Sequence, residues 1–203
     1  MNTTLIAAID ENFPIQVREA IYARRATRHF LPEKVSENQV QALIESAIQA
    51  PSAMNLQPWA FAVIQKPDLL KRISSAAKEL ILQNIDFKNH PERGHVPLDN
   101  PNFDIFYDAN TVIVIYVKQQ DGFEPVGDCY LAAQNLMLAA LEFNLATCPI
   151  GFARDVLREE RWKKELSIPK GYEPVLPIAI GYSAITMPPT ERTPAKILNW
   201  LHA

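Results

Sequence analysis

The chain has 203 residues, 48% of them hydrophobic and 21% charged, and a formal net charge of −3. That length suits one domain with a sizeable core, and the charge, with no lysine- or arginine-rich tract, excludes the electrostatic footprint of a nucleic-acid binder. Two cysteines, Cys129 and Cys148, make neither a disulfide framework nor a metal-ligand spacing, so a reducing, cytoplasmic setting is expected.

The first residues, MNTTLIAAIDENF, carry two acids where a secretory signal would run on apolar, and no apolar run is long enough to cross a bilayer. The six glycines are never two apart. There is no GxGxxG fingerprint and no GxxxxGK phosphate loop, so a nucleotide-like cofactor would not sit on a Rossmann turn.

Val17 to Arg25 has helical periodicity, with Val17 and Ile21 on one side and Ala20 and Arg24 beside them. It ends in a cationic cluster, Arg24, Arg25, Arg28 and His29, before Phe30-Leu31-Pro32 breaks it. Such a cluster either complements the helix dipole in solvent or grips an anion through paired guanidinium donors. Ser36 and Gln39 form a capping-box pattern for a second helix, with Val40, Leu43, Ile44, Ala47 and Ile48 as its apolar stripe.

The next stretch, Ala50-Pro51-Ser52-Ala53-Met54-Asn55-Leu56-Gln57-Pro58-Trp59, cannot be α-helix, because each proline lacks a donor and biases the residue before it toward extended geometry. It reads as a rigid extended loop, either a plain connection or a binding loop, with Trp59 as a core or interface anchor. Phe61 to Ile64 reads as a short buried strand. Lys66-Pro67-Asp68 is a turn, with Asp68 capping a helix from Leu69 to about Ile85 that presents Leu70, Ile73, Ala77, Leu80 and Ile81.

From Asp86 to Asp108 the pattern dissolves, as in lids and binding loops. His90 and His95 lie here, but no third ligand follows at a useful spacing, so no metal is expected. Thr111 to Val117 is β-branched and continuously apolar, as at a sheet centre. After Asp121-Gly122, a helix runs from near Pro125 to Phe143, and Asn144 suits a left-handed residue just past its end. Residues 146–152 read as a loop of small residues, with the Ile150 and Gly151 amides as donors to a flat ligand. A charged helix from Asp155, a turn at Pro169-Lys170-Gly171, a strand from Val175 to Tyr182 and a tail with an apolar end (Ile197, Leu198, Trp200, Leu201) complete one α+β domain spanning 1–203.

Four separated pieces together resemble the FMN-dependent nitroreductase family. They are Arg24-Arg25-Ala26-Thr27-Arg28, the run from Ala50 to Trp59, Ala146-Thr147-Cys148-Pro149-Ile150-Gly151, and Gly181-Tyr182 followed by Arg192. The resemblance implies a central, mostly antiparallel sheet flanked by helices in an intertwined homodimer. An FMN would lie in each interface pocket, and residues 187–203 would reach the partner subunit. It implies that Arg24, Arg25, Ala26 and Arg28 meet the phosphate, ribityl chain and pyrimidine edge, with Arg192 also on the phosphate. The family commonly has serine at the position of Ala26, and some relatives have lysine at that of Thr190, which shifts the expected grip toward Arg24 and Arg192. Pro51, Ser52, Ala53, Met54 and Asn55, with Gln57 in support, match the loop that packs on the flavin from the partner. Pro149, Ile150 and Gly151 match the segment facing flavin N5. Asn102, Phe106 and Tyr107 are the candidates for a substrate lid within the variable 86–108 segment.

The implied activity is hydride transfer from NAD(P)H, through the flavin, to a nitroaromatic, quinone or similar flat electrophile, with donor and acceptor taking turns. A cation such as Arg28 beside the anionic reduced ring would raise its potential. Cys148 falls near the ring, where a structural role is the expectation and a redox role the alternative. Two other outcomes stay open: a relative on the same fold with other chemistry (dehalogenation, flavin fragmentation, azoline oxidation), or a flavin-binding sensor or store without catalysis.

Overall fold

In the computed structural model, residues 16–84, 96–119 and 125–202 are described. Four strands make one sheet: β1 (Trp59–Ile64), β2 (Thr111–Lys118), β3 (Leu145–Pro149) and β4 (Tyr172–Tyr182), in the order β1-β2-β4-β3, with every pair antiparallel. The uninterrupted apolarity of β2 has a direct cause, since both its faces are covered. Ile113, Ile115 and Val117 join one core cluster, which includes Val40, Leu43, Ala132, Ala133 and Leu136. Those residues come from α2 (Glu37–Ala47) and α4 (Val126–Ala139). Val112, Val114 and Tyr116 join the other cluster, with Leu70, Ile73 and Ala77 of α3 (Pro67–Asn84) and Val156, Leu157 and Trp162. The last three belong to α5 (Arg154–Leu157) and α6 (Glu160–Glu165).

The chain ends of the helices follow local chemistry. Ser36 Oγ accepts from the Gln39 amide while the Gln39 side chain accepts from the Ser36 amide, a reciprocal cap. Asn144 stands at φ 53° after a 3-10 turn, Ala140–Phe143, that tightens the end of α4. The expected cap at Asp68 is corrected: α3 begins two residues before Leu69, at Pro67, whose missing donor is harmless in a first turn. Its expected end at Ile85 lies outside the described residues, as do His90 and His95. α1 (Val17–Ala23) stops before the arginines, with Arg24 already extended, and Ala20 alone is buried on it. The charged helix after Asp155 is split into α5 and α6 where Glu159 turns extended.

Two loop expectations are overturned. Residues 145–149 form strand β3, paired with β4 from Leu145 opposite Tyr182 to Pro149 opposite Ile178. Their small side chains reflect close packing. The stretch between Pro51 and Pro58 is not extended throughout. The prolines forbid an α-helix but leave room for a 3-10 turn, Ala53–Asn55, with Met54, Asn55 and Gln57 all at positive φ.

Strand β4 carries Pro174 and Pro177, although prolines are rare inside sheets. Pairing with β3 covers β4 only from Ile178 onward. The Pro177 carbonyl accepts from the Ile150 amide at 2.8 Å, so its ring nitrogen faces that same margin, where the ladder ends. A bulge opposite Ile115 and Tyr116 shifts the alternation by one and brings Pro174 to the same side.

Gly181 marks a close approach. A Cβ there would sit 3.1 Å from the Phe30 ring. Gly181→Val is therefore expected to cost about 1–3 kcal/mol by overpacking, read as a lower urea midpoint with an unchanged m-value. Phe30→Ala in the same chain should recover part of that loss.

Candidate active site

The basic segment does not float in solvent. Ala26 bridges Thr147 in parallel and the Thr27 amide donates to the Thr147 carbonyl at 3.1 Å. Phe30 bridges Ser183, and the Leu31 amide donates to the Tyr182 carbonyl. Residues 24–31 thus line the β3 margin, and Arg24, Arg28 and Cys148 come together. Arg192, from the tail, joins them: its charge, after burial, is the largest cause holding the Arg24 guanidinium below its ordinary value, followed by Arg25. Among the described residues no acid pairs with Arg24, Arg25, Arg28 or Arg192. Crowded cations without counter-charge are costly unless an anion is the missing partner.

Part of the Arg25 guanidinium is already engaged within the chain. It donates to the carbonyls of Tyr22 (2.6 Å), Arg24 (2.9 Å) and Pro188 (3.1 Å), stapling the tail to the end of α1. Ile150 is also committed, since its amide donates to Pro177. Gly151 is not: it heads a 3-10 turn, Gly151–Ala153, its N–H has no acceptor among the described residues, and nothing lies within 4 Å of where a Cβ would be. The open donor predicted for this pair is therefore Gly151 alone.

Cys148 is buried, and burial pushes its thiol up, against the opposing pull of Arg28 and then Arg24. Cys129, in the other core, is pushed up to about 12 by burial and Asp128. Both stay protonated near neutrality, which leaves a redox role for Cys148 without thiolate chemistry. Of the expected lid, Tyr107 is half-buried with the Arg28 guanidinium carbon 6.0 Å from its ring centre. Phe106 is fully buried in the core and covers nothing. Asn102 is exposed in a turn, its amide on the Asn100 side chain.

The loop at 51–57 is built as tightly as its prolines suggested. Ser52 Oγ accepts from the Gln57 amide, and the Gln57 side chain donates to Asn55 Oδ1. Asp128 accepts from the Ala53 amide at 3.1 Å. Sequence reasoning missed Asp128; the one available signal was an acid in the first turn of a helix. This loop leads into β1, one outer strand, whereas Arg24, Arg28 and Gly151 line β3, the other. Three strand spacings, about 14 Å, separate the two margins. One chain does not bring the two groups together.

A groove of about 520 Å³ lies between α3 and α6. Arg72 and Arg161 both stack on Trp162 there, and Arg72 is paired with Glu165. None of the motif residues lines it, and its arginines are already partnered. Among the described residues, no three metal-ligating side chains gather, and no helix is long and apolar enough to cross a membrane.

The family model described as the nitroreductase family matches residues 21–182. The chain belongs to the nitroreductase family. A relative from Methanothermobacter thermautotrophicus, provisionally named an NADH dehydrogenase/NAD(P)H nitroreductase, is 28% identical over 174 residues, covering 84% of this chain and 78% of the relative. A nitroreductase with bound FMN from Desulfitobacterium hafniense superposes with TM-score 0.75 at 26% identity, over 87% of this chain and 93% of that one. An oxidised iodotyrosine deiodinase bound to FMN and 3-iodo-L-tyrosine has TM-score 0.71 at 19% identity, covering 92% of this chain and all of the other. That last likeness is one of fold alone.

Proposed function

We propose that this nitroreductase-family chain is an FMN-dependent oxidoreductase that takes hydride from NAD(P)H and passes it to a nitroaromatic, quinone or similar flat electrophile. The observation that carries this reading is the β3 margin, where Arg24, Arg28 and Arg192 lie without a counter-charge among the described residues, and where the Gly151 amide, unlike that of Ile150, has no acceptor.

These residues fit FMN on chemical grounds. The phosphate dianion supplies the charge that Arg24 and Arg192 lack. Arg28 is left for the electron-rich pyrimidine edge of the ring. Gly151 offers a free donor in open space. When bound, FMN supplies the hydride chemistry itself. The chain's residues hold it, orient it and bias its charge. Arg28, by favouring negative charge, raises the potential of the bound cofactor. The Gly151 N–H would donate to the edge of the ring and orient it. Cys148 stays a thiol and takes no step.

The second half of the site is supplied by another copy of the chain in this reading. The rigid loop carrying Ser52, Asn55 and Gln57 stands at the wrong margin to meet its own arginines. The tail leaves Ile197, Leu198, Trp200 and Leu201 exposed, with Leu198 and Leu201 each 86% accessible, as fits a segment that lies on a partner. A homodimer satisfies both.

The test is the visible spectrum of purified protein supplied with FMN, before and after anaerobic NADPH. A protein-bound flavin band that bleaches, and returns on adding a nitroaromatic or quinone, is expected. Protein that retains no flavin after gel filtration refutes the cofactor. A bound flavin that NADH and NADPH both fail to bleach refutes the reaction and favours a flavin store.

A further inference from the structure

Lys78 lies on the buried face of α3 and is only 7% exposed. A buried ammonium needs all three protons accepted. They go to the carbonyls of Asn100 (3.1 Å), Pro101 (3.2 Å) and Phe103 (2.7 Å). One turn earlier, Ser74 Oγ accepts from the Ile105 amide at 3.0 Å. Helix α3 therefore grips residues 100–105 at two levels. Asp104 then accepts from the amides of Phe106 (3.0 Å) and Asp108 (3.1 Å), straddling Tyr107. Ile105 and Phe106 are fully buried and anchor the turn below.

Held this way, Tyr107 and Asp108 stand at φ 56° and 60°. Two successive left-handed residues, neither of them glycine, persist only when their surroundings over-determine them. The result is an aimed side chain. The Phe103 ring backs Tyr107 edge-on at 5.7 Å, and the Arg28 guanidinium carbon lies 6.0 Å from the Tyr107 ring centre. No acid pairs with Arg28 among the described residues.

We propose that Tyr107 is a positioning residue for Arg28. A carboxylate would also fix the guanidinium, but it would cancel the charge. A tyrosine fixes it by its ring quadrupole and by its hydroxyl oxygen, which accepts from Arg28, and leaves the charge for a ligand. The buried Lys78 and the Asp104 bracket are the means of holding that ring in place. The inference rests on the FMN reading above, and deepens it: Arg28 biases the cofactor because Tyr107 seats it.

The test uses variants that keep the backbone. Tyr107→Asn removes the ring, and asparagine accepts a left-handed φ. Tyr107→Gly does the same at lower strain and serves if the first does not fold. Tyr107→Phe keeps the ring. FMN binding is read by quenching of flavin fluorescence, and the midpoint potential of the bound flavin by dye equilibration. Tyr107→Asn is expected to weaken FMN about threefold and move the potential negative, while Tyr107→Phe, which keeps the ring and loses only the hydroxyl contact, falls between it and wild type. On an Arg28→Ala background, Tyr107→Asn should add nothing further. Wild-type affinity and potential in both ring-less variants overturn the inference. So does an effect that persists undiminished without Arg28. Those results leave the FMN reading standing, whereas a wild-type chain that binds no FMN removes both.

Discussion

Gly151→Pro is expected to slow flavin reduction and reoxidation about 10- to 100-fold while leaving the fold intact, the range that loss of one hydrogen bond to a charge-bearing group corresponds to. The substitution suits the site. Gly151 is the first residue of a 3-10 turn, its φ is not in the left-handed region, and the space beside it is open. Proline is tolerated at such a first position because that N–H has no helical partner. Ile150 before it, at φ −113° and ψ 80°, is already outside the α region that a following proline disfavours. The donor is thus deleted and a ring methylene put in its place, with the backbone otherwise unchanged. Gly151→Ala keeps the donor and is the control, with near wild-type turnover expected. Stopped-flow reduction by NADPH, beside the thermal midpoint of each apo-protein, checks it. Equal rates in Gly151→Pro and Gly151→Ala would remove the amide from the mechanism.

The paired substitution Arg24→Ala/Arg192→Ala should have a still larger effect on cofactor retention. Charge-assisted contacts to a phosphate are worth about 1.5–3 kcal/mol each, or roughly 10- to 100-fold per arginine. The stability effect carries the opposite sign. In the free chain Arg192 is the largest electrostatic burden on the partly buried Arg24. Arg192→Ala relieves that repulsion, so apo-protein should unfold at the same temperature or slightly higher. With saturating FMN the order reverses, because ligand stabilisation scales with affinity. A variant that loses stability equally with and without FMN would mark Arg192 as a structural residue instead.

The sequence exposed what periodicity and spacing encode. Thr111 to Val117 is apolar on both faces because α2 and α4 cover one side and α3 and α5 the other, and that is a two-sided strand's signature. The Ser36–Gln39 box and Asn144 were readable because each is a single residue type answering a single backbone need. What escaped was decided by the fold. β3 looked like a loop because its residues are small and Pro149 and Gly151 close the run; pairing with β4 overrides that. Motif position also did not say which donors were taken. Arg25 and Ile150 share the motifs of Arg24 and Gly151, yet bind carbonyls of Pro188 and Pro177 that are remote in sequence. Phe106 and Tyr107 are neighbours in one segment, and only the left-handed turn sends one into the core and the other toward Arg28.

Pro174 and Pro177 have a consequence for what this sheet can become. Where β3 ends, β4 runs on without a strand partner on that side, the kind of backbone that templates another strand, although Pro174 to Pro177 are buried there. Proline nitrogens along that margin offer no hydrogen to an incoming chain, and the Pro177 carbonyl is already taken by the Ile150 amide, so a foreign strand would find gaps in both rows. The sheet is thereby kept at four strands. Copies of the chain are steered away from open-ended fibres, and association is left to surfaces that close on themselves.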